Sequence, residues 1–487
     1  MNIKEAKEEI KKTVQAYTAK TEAGTCRIPV QRQRPILLIG PPGIGKTAIM
    51  EQIARECSLG LVAYTMTHHT RQSAIGLPVL EKKSFQGHEY TVTSYTMSEI
   101  IASVYEQIGQ SGRTEGILFL DEINCVSETL MPAMLQFLQY KTFGSHRLPE
   151  GWVIVAAGNP PAYNRSVREF DTVTLDRVKK MEVVPDLDVW KSYALERGLH
   201  PAVLSFLELK PECFYVMEAG RKGFVTGRGW EDLSEMLLTM EDLGLSVEDV
   251  LFGQYLQDQE TAGEFACYYR IYEKWKERLC PEQILKGNTT ACAEELPKLP
   301  FDERLCIIWL LLQKLHRETH TYMEQERLSE SLQYFVKGLA HSESLEKDCR
   351  ERLEKRKQAL QVRRDCGLLE PGEEERENRF CELVRRGIEQ AKLTKDWTVL
   401  EQQAALEKQK AAQQQEKLTE AVRSGIAFVR DAFGSGQESV IFLTGLMEHP
   451  GTGKLLKERL PEAYADAGQF LNADRKEELL RRQLLNG

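Results

Sequence analysis

The chain has 487 residues, of which 42% are hydrophobic, and a formal net charge of −9 at pH 7. This length accommodates two to four domains with separate cores, and the negative charge argues against a general nucleic-acid-binding surface. Eleven cysteines without a C-x-x-C pair argue against a disulfide framework and favour a reducing, cytoplasmic compartment.

An N-terminal helix is predicted over residues 1–30, where the sequence is charged and amphipathic rather than typical of a signal peptide. Strand-like and helix-like segments then alternate over residues 31–185. This alternation predicts an α/β core with a mainly parallel sheet that helices cover on both faces. The candidate buried strands are residues 36–40, 61–66, 117–122, 153–159 and 179–184. A hairpin insert is predicted at residues 78–96, with a turn at Gln86-Gly87, and a second short insertion at 141–151.

A phosphate-binding loop is predicted at residues 40–47. There GPPGIGKT follows the pattern G-x-x-x-x-G-K-[ST] between a short apolar run and a helical segment. We expect backbone N–H groups to bind phosphate oxygens, Lys46 to reach the β- and γ-phosphates, and the Thr47 hydroxyl to hold Mg²⁺. The alternative is a glycine-rich turn before a helix. The candidate nucleotide-binding residues are Gly40, Pro41, Pro42, Gly43, Ile44, Gly45, Lys46, Thr47, Ala48 and Asp121.

Polar side chains end two of the predicted strands. Asp121 and Glu122 follow the run ILFL, at the strand end where ligands bind in open α/β sheets. Asp121 is expected to bind the hydration shell of Mg²⁺, and Glu122 to orient and deprotonate an attacking water. The alternative for this acidic pair is a helix cap. Asn159 ends the run VIVAAG, where its amide is placed to contact the γ-phosphate or that water.

The remainder of the chain is predicted to be helical, with a lid over residues 186–275 and an extension over 276–487. The apolar run at 305–312 is too short to span a bilayer and indicates a buried helix. The segment EHPGTGKLL at 448–456 contains GTGK but lacks the first glycine and the Ser/Thr of a phosphate loop, so an inter-helix turn is predicted there. No membrane association is expected.

Five motifs, GPPGIGKT, FLDEIN, AAGNPP, TLDR and VTGRGWEDLS, resemble in this order the nucleotide site of AAA+ ATPases, and most of all the MoxR-type branch. The resemblance covers residues 30–250. It implies a P-loop NTPase core with a helical lid, here followed by a long all-helical C-terminal extension. It also implies a homo-oligomeric ring, commonly of six subunits, with ATP bound between neighbours. A partner protein with a von Willebrand factor A-type domain is a further implication.

The same resemblance assigns three polar residues. Asn159 corresponds to sensor 1, Arg177 of TLDR to the arginine finger and Arg228 of TGRGW to sensor 2. A guanidinium complements the charge that phosphoryl transfer spreads over the γ-oxygens. Arg165 and Arg168 are rival fingers, and a surface ion pair is the alternative role for Arg177 and for Arg228.

Three functions fit these residues. The leading hypothesis is an ATP-hydrolysing, ring-forming machine that remodels partner proteins, with Phe85 and Tyr90 of the hairpin contacting the client. The alternative for these two aromatic rings is cross-strand packing within the hairpin. The second function is a nucleotide-gated scaffold whose helical extension docks partners. The third, a nucleic-acid-associated NTPase, is disfavoured by the negative charge and by the absence of a recognisable DNA-binding motif.

Overall fold

The computed structural model describes residues 1–68, 74, 76–143, 146–163, 167, 170–217, 223–288, 294–339, 345–365 and 372–469. The strands are β1 Ile36–Ile39, β2 Gly60–Thr65, β3 Pro78–Phe85, β4 His88–Tyr95, β5 Gly116–Asp121, β6 Thr142–Phe143, β7 His146–Arg147, β8 Trp152–Gly158 and β9 Lys179–Glu182. The helices of the first part are α1 Ile3–Thr18, α2 Lys46–Glu56, α3 Glu99–Ser111, α4 Met131–Tyr140, α5 Thr172–Leu175 and α6 Leu187–Arg197.

The named elements of the remaining described residues are helices. They are α7 Pro201–Leu209, α8 Gly227–Asp242, α9 Asp249–Tyr255, α10 Gln259–Leu279, α11 Pro281–Leu285, α12 Phe301–Lys337, α13 Leu345–Asp365, α14 Glu373–Thr394, α15 Thr398–Phe433, α16 Gln437–Glu448 and α17 Pro450–Arg459. The chain divides into two compact units. The first comprises Met1–Val189 with Ala359–Leu369, and the second Trp190–Gln358 with Glu370–Gly487.

A five-stranded parallel sheet forms the centre of the first unit, in the order β2-β5-β8-β1-β9. Its three inner strands are apolar along almost their whole length because helices cover both faces. Alternate residues of these strands join two separate cores, one with α1 and α2 and the other with α3 and α4. The predicted α/β fold of the P-loop NTPase type is confirmed.

Two short hairpins stand apart from this sheet. β3 and β4 pair antiparallel around Gln86 and Gly87, whose φ angles of 53° and 83° suit a two-residue hairpin turn. The predicted hairpin and its turn are therefore confirmed. Within the predicted insertion at 141–151, β6 and β7 form a second two-stranded sheet.

An aromatic core and long helices form the second unit. Phe206, Trp230 and Phe265 pack edge to face or tilted, with ring centroids 5.3 to 5.7 Å apart. The predicted boundary at residue 275 is wrong, because α10 runs through it with Tyr272, Trp275 and Leu279 all buried.

The predicted buried helix at 305–312 is confirmed, since every residue of that run is buried within α12. Among the described residues, none of the helices combines the length and the apolar character that crossing a bilayer requires.

The segment at 448–456 is helical, so the predicted inter-helix turn is wrong apart from one residue. α16 ends at Glu448, and α17 begins at Pro450, which leaves only His449 between them. Proline suits the first position of a helix because no intrahelical donor is lost there. The His449 Nδ1 accepts a hydrogen bond from the Thr452 N–H at 3.4 Å and caps the new helix.

Candidate nucleotide-binding site

The loop between β1 and α2 depends on glycine at several positions. Gly43 and Gly45 have φ angles of 73° and 88°, in the left-handed region that glycine adopts without strain. A Cβ on Gly40 would lie 2.7 Å from the Val183 carbonyl oxygen, so a larger residue does not fit there. The loop thus leads directly into the first turn of α2, where backbone N–H groups lack intrahelical acceptors.

Lys46 is the central cation of this loop, and only 8% of it is exposed. Its Nζ donates hydrogen bonds to the carbonyl oxygens of Gly40 and Pro41 at 2.8 and 2.9 Å. It also donates to the Asn159 Oδ1 at 2.9 Å. A buried ammonium requires such oxygen partners. The structure therefore brings together the predicted phosphate-binding lysine and the predicted sensor.

A hydroxyl and a carboxylate meet beside this lysine. The Thr47 Oγ1 donates to the Asp121 Oδ2 at 3.1 Å, and the Glu122 N–H donates to the Asp121 Oδ1 at 2.9 Å. Oxygen ligands of this kind are those that Mg²⁺ prefers, so the residues fit the predicted metal. Among the described residues, no cluster of three or more His, Cys, Asp or Glu side chains is arranged to hold a metal ion.

The backbone of Glu122 is strained. Its φ of 54° and ψ of 36° lie in the left-handed region, where a residue with a Cβ is disfavoured by roughly 1–2 kcal/mol. Strain of this kind persists only where surrounding contacts fix it, and it is concentrated at functional sites. Cys125 closes the same turn, and burial together with the carboxylates of Glu122 and Asp121 raises the pKa of its thiol.

Asn124 is a polar contributor that sequence reasoning missed. Only 3% of it is exposed, and its Nδ2 donates to the Asn159 carbonyl oxygen at 2.8 Å. The available signal was an amide residue two positions after the acidic pair in FLDEIN. That signal does not indicate a partner 35 residues away.

Arg177 is exposed and lies between α5 and β9. The neighbouring backbone is at the amino end of β1, since the Lys179 N–H donates to the Pro35 carbonyl oxygen at 2.8 Å. The phosphate loop follows the other end of β1, four residues or about 13 Å away. Within one chain the structure does not bring Arg177 to Lys46. Arg165 and Arg168 lie outside the described residues.

Arg228 belongs to the second unit, as the second residue of α8. The first turn of this helix is fixed by a cap, because the Gly229 N–H donates to the Thr226 Oγ1 at 3.2 Å. The buried Trp230 also holds it by donating from Nε1 to the Cys213 carbonyl oxygen at 3.2 Å. The guanidinium of Arg228 therefore projects from a rigid turn and is exposed.

Comparison with known proteins agrees with this geometry. Residues 35–178 match the family model described as "AAA domain (dynein-related subfamily)". Over 188 residues the chain is 27% identical to the Lon protease of Endomicrobium trichonymphae, which corresponds to 37% of this chain and 22% of the length of that relative. Residues 35–178 thus form an AAA domain, which agrees with the α/β fold of the P-loop NTPase type. Assignment to the MoxR-type branch stays a prediction.

Proposed function

We propose that the AAA domain binds ATP with Mg²⁺ and hydrolyses it to ADP and phosphate. The observation that carries this proposal is the convergence of three distant motifs at one edge of the sheet. Lys46 contacts Asn159 at 2.9 Å, and Thr47 contacts Asp121 at 3.1 Å, although these residues are 113 and 74 positions apart. A glycine-rich turn without a ligand needs neither contact.

Each residue has a distinct task in this reaction. Lys46 and the N–H groups at the start of α2 bind phosphate oxygens, while Thr47 and Asp121 hold the metal. Magnesium, when bound, neutralises charge on the β- and γ-phosphates. Glu122 orients the attacking water and accepts its proton. The amide of Asn159 contacts the γ-phosphate or the water, because its Oδ1 already lies beside the ammonium of Lys46.

Glu122→Gln tests this assignment. Loss of the general base is expected to slow ATP hydrolysis by about 10²–10⁴-fold, while ATP binding persists because the loop is intact. Phosphate release and binding of a fluorescent ATP analogue measure the two effects. Glu150→Gln, which changes an exposed carboxylate of the same unit, serves as the matched control. Hydrolysis at the wild-type rate in Glu122→Gln, or a wild-type chain that does not bind ATP, would contradict the proposal.

The catalytic site is proposed to be completed by a neighbouring subunit in a MoxR-type ring of six chains. Support comes from Arg177, which is exposed at the sheet edge opposite its own phosphate loop. A guanidinium there is available to the γ-phosphate of an adjacent subunit. Arg228 is proposed to act as sensor 2, on a helix turn rigid enough to transmit phosphate loss as movement of the lid.

The work of this cycle is proposed to be the remodelling of a client protein, and the β3–β4 hairpin is the proposed contact. Val79, Phe85 and Tyr90 share one face of the hairpin, and 53% of each aromatic residue is exposed. The two rings also contact each other, with centroids 6.1 Å apart, so cross-strand packing and exposure coexist. A von Willebrand factor A-type domain is the client that the family resemblance suggests.

Phe85→Ala combined with Tyr90→Ala tests the hairpin. Basal ATP hydrolysis is expected to stay unchanged, because neither residue belongs to the phosphate loop or to the strand ends beside it. In the presence of ATP, the Glu122→Gln chain is expected to retain client proteins, which mass spectrometry identifies. These proteins are expected to be lost when Phe85→Ala and Tyr90→Ala are added to that chain. An identical set of retained proteins would remove the hairpin from client binding. If the partner protein keeps its activity when Glu122→Gln binds ATP without hydrolysing it, the nucleotide-gated scaffold is favoured instead.

A further inference from the structure

Asn124 is a buried amide whose hydrogen bonding is incomplete. It lies in the turn Ile123–Cys125, with one Nδ2 bond to the Asn159 carbonyl oxygen at 2.8 Å. Its Oδ1 has no hydrogen-bond partner among the residues that the structure describes. A buried acceptor left in this way reduces stability, so stability alone does not explain an asparagine here.

The amide packs flat against the end of β8. A Cβ built on Gly158 would lie 2.5 Å from the Asn124 Oδ1 and 2.7 Å from its Cγ. Only glycine at 158 therefore leaves room for the asparagine. The end of β8 is also joined to the phosphate loop, since the Gly40 N–H donates to the Gly158 carbonyl oxygen at 3.3 Å.

These contacts link the turn that follows Glu122 to Asn159, and they link Asn159 to the phosphate loop. The main-chain carbonyl of Asn159 is held by Asn124, and its side-chain oxygen is held by Lys46. Asn124 itself lies two residues after Glu122, whose left-handed backbone requires support from outside the turn. The pairing of β5 with β8 ends at Leu120 and Ala156. The hydrogen bond from Asn124 is therefore a further connection between the two strand ends, beyond the ladder, that holds Asn159 relative to Glu122.

We propose that Asn124 is a positioning residue for ATP hydrolysis, which holds Asn159 in register with Glu122 without contacting the substrate. This inference rests on the proposed ATPase function. A displacement of about 1 Å between reacting groups slows catalysis by about 10²-fold. ATP binding depends on Lys46 and Thr47, whose own contacts with the loop and with Asp121 do not pass through Asn124.

The test compares Asn124→Ala, Asn124→Asp and Gly158→Ala. The first removes the amide, the second keeps its shape but replaces the donor with an acceptor, and the third pushes the amide aside. Each is expected to lower kcat by about 10–100-fold, with the Kd for ATP changed less than about twofold. Rates are expressed per nucleotide-bound site, so a misfolded fraction does not contribute. Ser127→Ala is the control, because its hydroxyl bonds only to Thr129 among the side chains of this loop.

The double variant separates positioning from a general loss of structure. Once Asn124→Ala has removed the atoms that a Cβ at 158 would meet, adding Gly158→Ala is expected to lower kcat less than about twofold further. Additive losses, or wild-type kcat in both Asn124 variants, would overturn the role of Asn124. If instead the wild-type chain does not hydrolyse ATP, the proposed function itself fails.

Discussion

Two segments of this chain carry the letters G-x-G-K, and they have different structures. Residues 43–46 belong to a loop in which both glycines have positive φ angles. Residues 451–454 lie inside α17, in ordinary helical conformation. Because the same letters adopt two structures, the local motif does not by itself determine a phosphate-binding loop.

The neighbours of each segment explain the difference. The first follows the buried strand β1, and 8% of Lys46 is exposed among three oxygen acceptors. The second follows a capping histidine and a proline, and 57% of the Lys454 side chain is exposed, with Nζ 3.6 Å from the Glu326 Oε2. A phosphate loop thus requires a strand before it and polar ends of neighbouring strands beside it.

The largest effect is expected at Arg177, for which the second G-x-G-K segment has no counterpart. Arg177→Ala is expected to slow ATP hydrolysis by about 10³–10⁵-fold, because the charge on the γ-oxygens loses its guanidinium. Mixing Arg177→Ala chains with Glu122→Gln chains, which are also slow, is expected to restore part of the hydrolysis. If the proposed ring forms, some sites in the mixture pair an intact Glu122 with an intact Arg177 of the neighbouring chain. Phosphate release from the mixture measures the effect.

Arg34→Ala is the matched control for this experiment. Arg34 is exposed at the same edge of the sheet, with its guanidinium 4.0 Å from Asp176. Its loss is expected to leave hydrolysis unchanged, since a surface ion pair contributes little. A mixture no more active than the sum of its two components would show that Arg177 does not act across a subunit boundary.

A smaller effect is expected from pH, through a histidine that precedes the helical G-x-G-K segment. His316 and His449 stack with ring centroids 4.4 Å apart. Burial lowers the pKa of His449 to about 4 and that of His316 to about 3. In the unfolded chain these imidazoles bind protons as the pH falls below about 6.5, whereas in the folded chain they stay neutral. The free energy of unfolding is therefore highest above that pH and decreases as the pH drops towards 3.

His449→Asn sharpens this prediction. Asparagine caps a helix well but does not titrate, so the variant is expected to lose about 2 kcal/mol less stability than wild type between pH 7 and pH 5. Urea unfolding at the two pH values measures the difference. The affinity of the His449→Asn chain for ATP at pH 7 is expected to match that of the wild type. Equal losses of stability in both chains would contradict the assignment of the low pKa to His449.

Much of the first unit could be predicted because its signals are local. The alternation of strand-like and helix-like segments identified the five strands, and the glycines and lysine at 40–47 identified the loop between β1 and α2. Long-range contacts could not be predicted in this way. The hydrogen bond from Asn124 to Asn159 depends on two strand ends meeting, and the helical state of residues 451–454 depends on burial against the second unit's other helices. The boundary expected at 275 falls inside α10, because Tyr272, Trp275 and Leu279 are buried by contacts that the increase in charge along the sequence does not indicate.

Paired lysine variants test most directly whether residues 40–47, and not 448–456, form the nucleotide site. Titration calorimetry with ATP and Mg²⁺ is expected to show one ATP per chain in wild type and in Lys454→Ala. Lys46→Ala is expected to bind more than about 100-fold more weakly, since each charge-assisted hydrogen bond lost costs about 1.5–3 kcal/mol. Wild-type affinity in Lys46→Ala, or loss of a bound ATP in Lys454→Ala, would contradict this account.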